Sequence, residues 1–389
     1  MKQGWWRWKF TPLKGILLAL FGISAVVAIY RLIYGLGAVT NMSDTTPWGI
    51  WKAFDVVIVI PLGASGFTMA FVRYFLKDAR YEHIMRRSVI WAAIAYLSAG
   101  TRLMFDIGLP WRLANPLVLG GNFHSPLLEV AWCMALYMIV LFFENIPRVM
   151  ERMGVPWILK LEHFLHKIMP GFVLVGVLLS TMHHSTLGTL FMITGKRMDG
   201  LWYHPWLNYL FLLTSIAAGL AVTILIEGWS NHYYKTPFHA KLLGRLGTAM
   251  AAFLGVALLW RVGSIAAEGG LGLLAAPRFQ TVLWWGEILV GYLLPIAILL
   301  RPRLRTQRWP LIIAAGATVG GMMVYRLNVA FTAMAANMKS TYVPALPELL
   351  FTIGATAGTM VIYTWFVETL PAILGPEASV TEDSPMHAD

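Results

Sequence analysis

Ten apolar stretches, each long enough to cross a lipid bilayer, constrain this chain to one class of fold. A membrane-spanning helix needs about 20 predominantly apolar residues, and no loop between the stretches is long enough to bury a core of its own. Hydrophobic residues make up 58% of the 389 residues and charged residues only 13%, far from the balance of a soluble protein. The sequence therefore predicts an all-α integral membrane protein. The predicted spans are residues 15–36, 52–76, 87–108, 125–147, 164–190, 206–230, 242–265, 279–300, 310–333 and 347–370.

The basic residues of the chain alternate from loop to loop. The net charge is +11, which by itself would suggest nucleic-acid binding. However, nineteen Lys and Arg residues, Arg87 among them, fall in the N-terminal tail and the loops on its side of the membrane, and six, Lys52 among them, fall in the opposite loops. Cytoplasmic loops are enriched in Lys and Arg, so we predict that both termini are cytoplasmic and that nucleic acid is not a partner.

Both ends of the chain differ in composition from the spans. Residues 1–14 are basic and aromatic, and Trp5, Trp6 and Trp8 are typical of an interfacial anchor. The first apolar run lacks a small-residue cleavage site, so we expect it to remain as a span. Residues 371–389 form an acidic cytoplasmic tail, which we expect to be disordered.

A single cysteine, Cys133, limits the redox centres that the chain can hold. An iron–sulfur cluster needs about four thiolates, or two thiolates and two histidines. Haem b in a helical bundle needs paired histidines on facing spans, whereas only His183 and His184 lie clearly within a span and His124 lies at the mouth of another. We therefore expect no haem, no iron–sulfur cluster and no metal site, so that any electrons come from a partner protein.

Seven ionisable residues cluster near the outer ends of four consecutive spans, the second to the fifth. A charge in hydrocarbon costs a few kcal/mol at least, so residues of this kind usually serve a site or a pathway. Random placement would not bring all of them to one face of the membrane. They are Asp55, Arg102, Asp106, His124, Glu129, His183 and His184.

Spacing within the second and third spans places several of these residues on shared helical faces. Trp48, Trp51 and Asp55 follow at i, i+3 and i+7, a pattern also consistent with an interfacial aromatic belt and an acid that reaches the headgroups. Arg102 and Asp106 are four residues apart and can pair within the helix. That pair is either purely structural or serves to orient a carbonyl and stabilise an oxyanion.

The fourth and fifth spans add groups that can exchange protons. Glu129 lies one turn inside a helix that begins at Ser125-Pro126, where the helix dipole favours the ionised carboxyl and burial the neutral one. Glu144 lies about 22 Å further along the same helix, and both glutamates can alternatively be snorkelling end groups. His183 and His184 point about 100° apart, so we expect one to face a ligand and the other to bond to a neighbouring span.

The second half of the chain repeats the four-span unit with fewer ionisable residues. Glu227 lies at the inner end of its span and, like Glu144, is either a proton entry point or a snorkelling carboxylate. Arg261, Glu287 and Arg326 are predicted to form a structural ion cluster. Two small-residue pairs, Gly316 with Gly320 and Gly354 with Gly358, predict close helix packing.

Several short motifs occur in order through the first six spans. They are residues 35–39 (GLGAV), 47–51 (PWGIW), 53–55 (AFD), 128–131 (LEVA), 133–134 (CM), 181–185 (TMHHS), 187–190 (LGTL) and 227–228 (EG). In these motifs the chain resembles the membrane subunits of the NrfD/polysulfide-reductase family, and within it the branch linked to hydrogenase-2. The last four spans match more loosely. At His184 the chain departs from the hydrogenase branch, which has glutamine.

The resemblance implies two four-helix bundles, residues 52–190 and 206–333, with flanking spans at 15–36 and 347–370. It implies a subunit of the bacterial inner membrane that has no cofactor of its own. Such a subunit would pass electrons between a periplasmic ferredoxin-like iron–sulfur subunit and menaquinone or ubiquinone in the first bundle. The catalytic partner would be a hydrogenase, or a multihaem-cytochrome or molybdopterin subunit. The resemblance also places Glu129, His183, Asp55, Tyr96 and Arg102 at or near the quinone site, and Glu144 and Glu227 on an inner proton route.

The working hypothesis is that a quinone headgroup docks near the outer ends of the second to fifth spans. His183 and Glu129 would exchange its protons, while Arg102 and Asp106 organise the pocket. The remaining lining residues would be Asp55, Tyr96, His124, His184 and Trp48. A proton-coupled transporter and a purely structural membrane anchor are alternatives. A transporter site usually lies near the midplane on broken helices, and an anchor would tolerate neutralisation of the cluster.

Overall fold

The computed structural model describes residues 8, 10–43, 46, 48–153, 156–338 and 342–369, and it is all-α within these ranges. Ten of its helices are long and apolar enough to cross a membrane, which confirms the predicted fold class. They are α1 (Pro12–Tyr34), α2 (Ile50–Tyr74), α3 (Ala79–Asp106), α4 (Pro126–Met153), α5 (Pro156–Met192), α6 (Leu207–Tyr234), α7 (Ala240–Ala267), α8 (Phe279–Leu299), α9 (Arg308–Ala335) and α10 (Leu346–Thr369). Residues 371–389 and most of residues 1–14 lie outside the described residues.

Successive spans cross in opposite directions, so the start of α1 and the end of α10 lie on the same side of the membrane. We call this side proximal and the opposite side distal. The connections on the distal side contain short helical turns, at Leu36–Ala38, Pro110–Arg112, Asn115–Val118, Gly195–Arg197 and Gly270–Leu274. On the proximal side a further short helix, Pro302–Arg305, joins α8 to α9.

The third span begins eight residues earlier than its hydropathy predicts. Because α3 starts at Ala79, Arg87 belongs to the helix and is fully buried. The assignment of Arg87 to a basic loop was therefore wrong. A helix can extend an apolar run in this way when a buried partner neutralises the charge, and Arg87 has such a partner on α6.

The spans include two rings of four helices, which meet where α2 and α5 of the first ring contact α6 of the second. In the first ring α2 packs on α3, α3 on α4, α4 on α5 and α5 on α2; in the second, α6 to α9 pack in the same cyclic order. Helices α5 and α6 join the rings, and α2 lies against α6. The use of residues 52–190 and 206–333 as separate functional units stays a prediction.

The first and last spans pack on each other beside the first ring. Any side chain at Gly354 or Gly358 would collide with Leu20 or Phe21 of α1, so the prediction of close packing is confirmed for this pair. A Cβ at Gly316 or Gly320 would meet no atom of the described chain within 4 Å. The same prediction was therefore wrong for that second pair within the chain.

Three spans contain a π-helical turn, in which the backbone bonds to the fifth residue along instead of the fourth. The turns lie at Asp55–Val59 in α2, Leu289–Leu293 in α8 and Asn328–Thr332 in α9. Turns of this kind often mark functional sites. Here one lies at an acid of the predicted site, and the other two follow charged residues of the second ring.

Candidate functional site

One buried ion pair of the predicted site joins α2 to α3. Arg102 Nη1 lies 3.1 Å from Asp55 Oδ1, and both side chains are buried. The same nitrogen donates to Thr356 Oγ1 of α10 at 3.1 Å. Arg102 therefore pairs with an acid on the neighbouring span, and the expected pair between Arg102 and Asp106 within one helix is not the one formed.

Asp106 pairs with a lysine that was counted among the loop charges. Lys52 Nζ lies 3.0 Å from Asp106 Oδ2. The Lys52 side chain is 25% exposed whereas that of Asp106 is fully buried. This second ion pair lies one helical turn nearer the distal side than the first, so Lys52 connects the buried carboxylate to the membrane surface.

The tenth span closes the site on the distal side. Glu348 is fully buried and accepts hydrogen bonds from the backbone N–H of Ala345 at 2.7 Å and from the hydroxyl of Tyr342 at 2.8 Å. Tyr342 in turn accepts from the N–H of Ile50 at 2.7 Å. Burial raises the pKa of Tyr342, so its hydroxyl stays protonated and can donate. This relay fixes the start of the helix that carries Asp55.

A tyrosine–histidine hydrogen bond lies deeper in the first ring. The Tyr96 hydroxyl bonds to His183 Nε2, and His183 Nδ1 lies 2.8 Å from the Leu179 carbonyl. Since a carbonyl only accepts, Nδ1 carries the proton, and in the neutral ring Nε2 accepts from Tyr96. The ring of Tyr137 lies 4.9 Å from that of Tyr96 and 5.8 Å from that of His183. All three side chains are buried.

His184 and Trp48 contribute packing surfaces. His184 Nδ1 donates to the Ser180 carbonyl at 2.6 Å, and its ring lies 5.5 Å from that of Phe67 on α2. Trp48 packs against Phe191 with ring centroids 5.5 Å apart. His183 therefore bonds to a side chain of the neighbouring α3, while His184 lies between α5 and α2.

Glu129 joins α4 to α5, whereas His124 stays outside the cluster. Thr186 Oγ1 donates to Glu129 Oε1 at 2.7 Å, and Glu129 is half-buried. Thr186 lies three residues from His183 and so shares its helical face. His124 is exposed in the connection before α4, and its backbone N–H donates to Asn122. The structure therefore does not bring His124 to the other site residues.

The polar residues of α3 follow one another along the helix from its distal end inwards. At 1.5 Å per residue, Arg102 lies roughly 6 Å below Asp106, and Tyr96 roughly 9 Å below Arg102. Tyr96 is therefore roughly 15 Å from Asp106 at the distal end of α3, about half the thickness of a hydrocarbon layer of about 30 Å. The site thus extends deeper than the predicted cluster at the outer ends of the spans.

The two predicted proton-path glutamates lie in different environments. Glu144 is buried on α4, seven residues below Tyr137, and faces Gly176 of α5. Glu227 is fully buried on α6 and forms an ion pair with Arg87, with Glu227 Oε2 2.8 Å from Arg87 Nη1. Neither carboxylate extends to the membrane surface, which argues against snorkelling. Glu144 continues the line of the site, while Glu227 belongs to a contact between α3 and α6.

The second ring has its own charged residues, and only part of the predicted ion cluster forms. Arg261 pairs with Glu287, and both are fully buried. Arg326 donates instead to the Phe211 carbonyl at 2.7 Å and to the hydroxyl of Thr214 at 2.9 Å. Within the described residues, no three His, Cys, Asp or Glu side chains lie close enough together to hold a metal ion.

Sequence reasoning missed several residues that contribute to this geometry, including Tyr342 and Glu348 on the distal side. Tyr137 had a usable signal, because it lies eight residues after Glu129 and seven before Glu144 on one helix. Lys52 and Arg87 were treated as loop charges. Thr356 carries no local signal, since its contact with Arg102 depends on how α10 packs.

Comparisons with known proteins place the sequence in a family. The sequence profile of the family described as "Polysulphide reductase, NrfD" matches residues 38–336. The chain is 28% identical to the "Probable Ni/Fe-hydrogenase 2 b-type cytochrome subunit" of Escherichia coli, over 93% of this chain and 94% of the relative. It is also 28% identical to the "Menaquinone reductase, integral membrane subunit" of Nitratidesulfovibrio vulgaris, over 77% of this chain and 75% of the relative. A putative membrane subunit of dimethyl sulfoxide reductase from Halobacterium salinarum is 23% identical, over 82% of this chain and 76% of the relative.

Proposed function

Because the chain belongs to the NrfD polysulphide reductase family, we propose that it is the quinone-reactive membrane subunit of a respiratory oxidoreductase complex. It would pass electrons between a periplasmic iron–sulfur partner and menaquinone or ubiquinone. The names of two relatives, one a hydrogenase subunit and one a menaquinone reductase subunit, support this proposal. So does the concentration of acids, bases and hydroxyls in the first ring.

The observation that carries the proposal is the buried Tyr96–His183 hydrogen bond, together with the bond from Thr186, three residues after His183 on α5, to Glu129 of α4. Reduction of a quinone to a quinol consumes two electrons and two protons. A subunit that performs it needs groups that release protons inside the membrane and recover them afterwards. His183 and Glu129 are our candidates for that exchange, and Tyr96 holds the histidine ring in one orientation.

The charged pairs above this hydrogen bond would organise the pocket. Arg102, held between Asp55 and Thr356, presents a buried guanidinium that can orient a quinone carbonyl and stabilise negative charge on its oxygen. Asp106 with Lys52 would set the charge at the mouth. His184 and Trp48 supply packing surfaces on either side. We propose His124 only as a residue of the entrance, because it is exposed.

An inner proton route would make the reaction electrogenic. Glu144 lies two helical turns below Tyr137 on the same helix, and the ring of Tyr137 packs against those of Tyr96 and His183. In this route protons would reach the quinone from the proximal side through Glu144, and electrons would reach it from the distal side. Each turnover would therefore separate charge across the membrane and build a membrane potential. Glu227 is a second candidate, although its ion pair with Arg87 gives it a structural function as well.

The chain would depend on partner proteins for its electrons. With one cysteine in the sequence, it cannot ligate an iron–sulfur cluster alone. One relative is named a b-type cytochrome subunit, whereas the two fully buried histidines of the first ring, His183 and His184, are adjacent on one helix, and His183 is bonded through both ring nitrogens. We therefore propose that the chain holds no haem. The donor would be a ferredoxin-like subunit next to a hydrogenase, or a multihaem-cytochrome or molybdopterin subunit, on the periplasmic side of the bacterial inner membrane.

Replacement of Glu129 with Gln tests the proposal. Glutamine keeps the size of the side chain and a hydrogen-bond partner for Thr186, but it cannot exchange a proton. We expect the variant to assemble with its partners and to lose quinone-linked turnover, measured with membranes and a soluble quinone analogue. Ser125→Ala, on the same helix end, serves as a control. Turnover equal to that of the wild type in Glu129→Gln would remove Glu129 from the mechanism.

A further inference from the structure

The second ring contains a buried charge cluster that the proposed function does not use. Arg261 on α7, Glu287 on α8 and Arg326 on α9 are each at most 2% exposed. Arginine is never deprotonated in proteins under ordinary conditions. The three side chains therefore carry one positive charge in excess, in a region where hydrocarbon surrounds the protein.

Glu287 has no capacity left to neutralise the second arginine. Its Oε1 pairs with Arg261. Its Oε2 accepts from Trp202 Nε1 and from Asn328 Nδ2, each at 3.0 Å. The carboxylate is thus committed to Arg261 and to two neutral donors.

Arg326 has only neutral acceptors among the described residues. Nη2 donates to the Phe211 carbonyl and to the hydroxyls of Thr214 and Ser215, at 2.7, 2.9 and 3.1 Å. Its guanidinium carbon lies 3.4 Å from the centroid of the Phe211 ring. Its Nε and Nη1 are buried and have no hydrogen-bond partner in the described part of the chain. A π face and a carbonyl reduce the cost of burying a charge but do not cancel it.

Other unpartnered donors surround the two arginines. The ring of Tyr325 lies 4.6 Å from the Arg261 guanidinium carbon and 5.5 Å from that of Arg326, so both groups contact one tyrosine. The Tyr325 hydroxyl, Arg261 Nε and Nη2, and Trp284 Nε1 are all buried without a hydrogen-bond partner within the described ranges. Buried polar groups in proteins are nearly always paired. All of these unpartnered groups can donate hydrogen bonds, and they lie beside an excess positive charge. An anion would accept the hydrogen bonds and balance the charge.

We propose that the second ring binds one small monovalent inorganic anion, of the halide class, between Arg261 and Arg326 beside the Tyr325 hydroxyl. One negative charge balances the cluster. Small size follows from the setting, because the donors lie among the packed and buried aromatic rings of Phe211, Tyr325 and Trp284. The π-helical turns at Leu289–Leu293 and Asn328–Thr332 lie next to these donors, as is common at ligand sites.

Thermal unfolding of the full chain in lipid nanodiscs tests the site, with chloride exchanged for gluconate at constant ionic strength. We expect chloride to raise the melting temperature of the wild type saturably. Arg326→Gln should abolish that dependence, because it removes the excess charge. Arg278→Gln should keep it, since Arg278 already pairs with Asp199 at 3.0 Å. Equal melting temperatures of the wild type in chloride and gluconate would overturn the proposal, as would retained dependence in Arg326→Gln.

A milder variant covers the case in which Arg326→Gln does not fold. Tyr325→Phe removes a hydroxyl that has no partner among the described residues, so without an anion it should be neutral or stabilising. With the anion bound, we expect the half-saturating chloride concentration to rise about fivefold. Bromide soaked into crystals of the protein should give an anomalous peak beside Arg326. An unchanged half-saturation in Tyr325→Phe, or a map without that peak, would contradict the assignment.

Discussion

Arg102 of α3 pairs with Asp55 of α2 at 3.1 Å, although Asp106, one turn away on its own helix, is the nearer acid in sequence. The choice leaves Asp106 to Lys52, so two ion pairs cross from α2 to α3 at successive turns. Crossed pairs of this kind fix the rotation of both helices about their axes. They therefore determine which side chains the two helices present to the inside of the first ring.

Breaking the Arg102–Asp55 pair from one side should be costly. Asp55→Asn leaves a buried guanidinium without its counter-charge, which typically destabilises by about 3–5 kcal/mol. We expect a lower melting temperature in detergent and loss of quinone-linked turnover. The double variant Asp55→Asn/Arg102→Gln should recover much of the stability but not the turnover. If both single and double variants melt like the wild type, the pair does not stabilise the fold.

Removal of the Tyr96 hydroxyl should affect turnover more than assembly. In Tyr96→Phe the ring still packs against Tyr137, but His183 Nε2 loses the group that orients it. Positioned acid–base groups contribute about 10²–10⁴ in rate, so we expect a fall of roughly 10² in quinone-linked turnover. Tyr292→Phe, which alters a buried tyrosine of α8 in the second ring, is the matched control. Equal turnover in the two variants would exclude Tyr96 from the reaction.

Hydropathy was sufficient to predict the ten spans, and residue spacing was sufficient to predict which polar residues of the first ring share a helical face. Both signals are local in sequence. The partners were not predictable in the same way. Arg102 is as well placed for Asp106 as for Asp55 until the packing of α2 is known. Arg87 and Glu227 are 140 residues apart, and a basic residue at the start of an apolar run is usually a loop charge. Long-range pairing of this kind depends on helix packing, which no short window of sequence encodes.

The inner proton route predicts a measurable change in charge movement. Glu144→Gln should lower the membrane potential generated per electron in proteoliposomes while electron transfer to quinone continues, because the line from Tyr137 to the proximal side is interrupted. Glu227→Gln should lower the potential too if that residue conducts protons, but it should also destabilise the protein by unpairing Arg87. Unchanged potential in both variants would indicate that protons enter from the distal side.

His204, in the connection before α6, should make stability depend on pH. Burial, with a smaller effect of Arg261, lowers the pKa of His204 to about 3, against about 6.5 in an unfolded chain. Below pH 6.5 the histidine therefore binds a proton in the unfolded state but not in the folded state. The free energy of unfolding consequently falls as the pH decreases from 6.5. Between pH 7.5 and pH 5 this histidine should cost about 2 kcal/mol. His204→Gln should melt with a flatter pH dependence over that range, and an identical slope would mean that His204 is accessible to protons.

The two glycine pairs predict opposite responses to one substitution. A side chain at Gly354 would collide with the backbone of α1 at Leu20, and backbone cannot move aside as a flexible side chain does. Gly354→Leu should therefore separate α1 from α10 and lower the melting temperature. Gly316→Leu adds the same side chain where no atom of the described chain lies within 4 Å, and leucine favours a helix over glycine by close to 1 kcal/mol. That variant alone should melt at or above the wild-type temperature. The melting temperatures of the two variants are best compared both in detergent and in the native membrane. A loss of stability in Gly316→Leu equal to that in Gly354→Leu would show that this face of α9 is packed against another molecule.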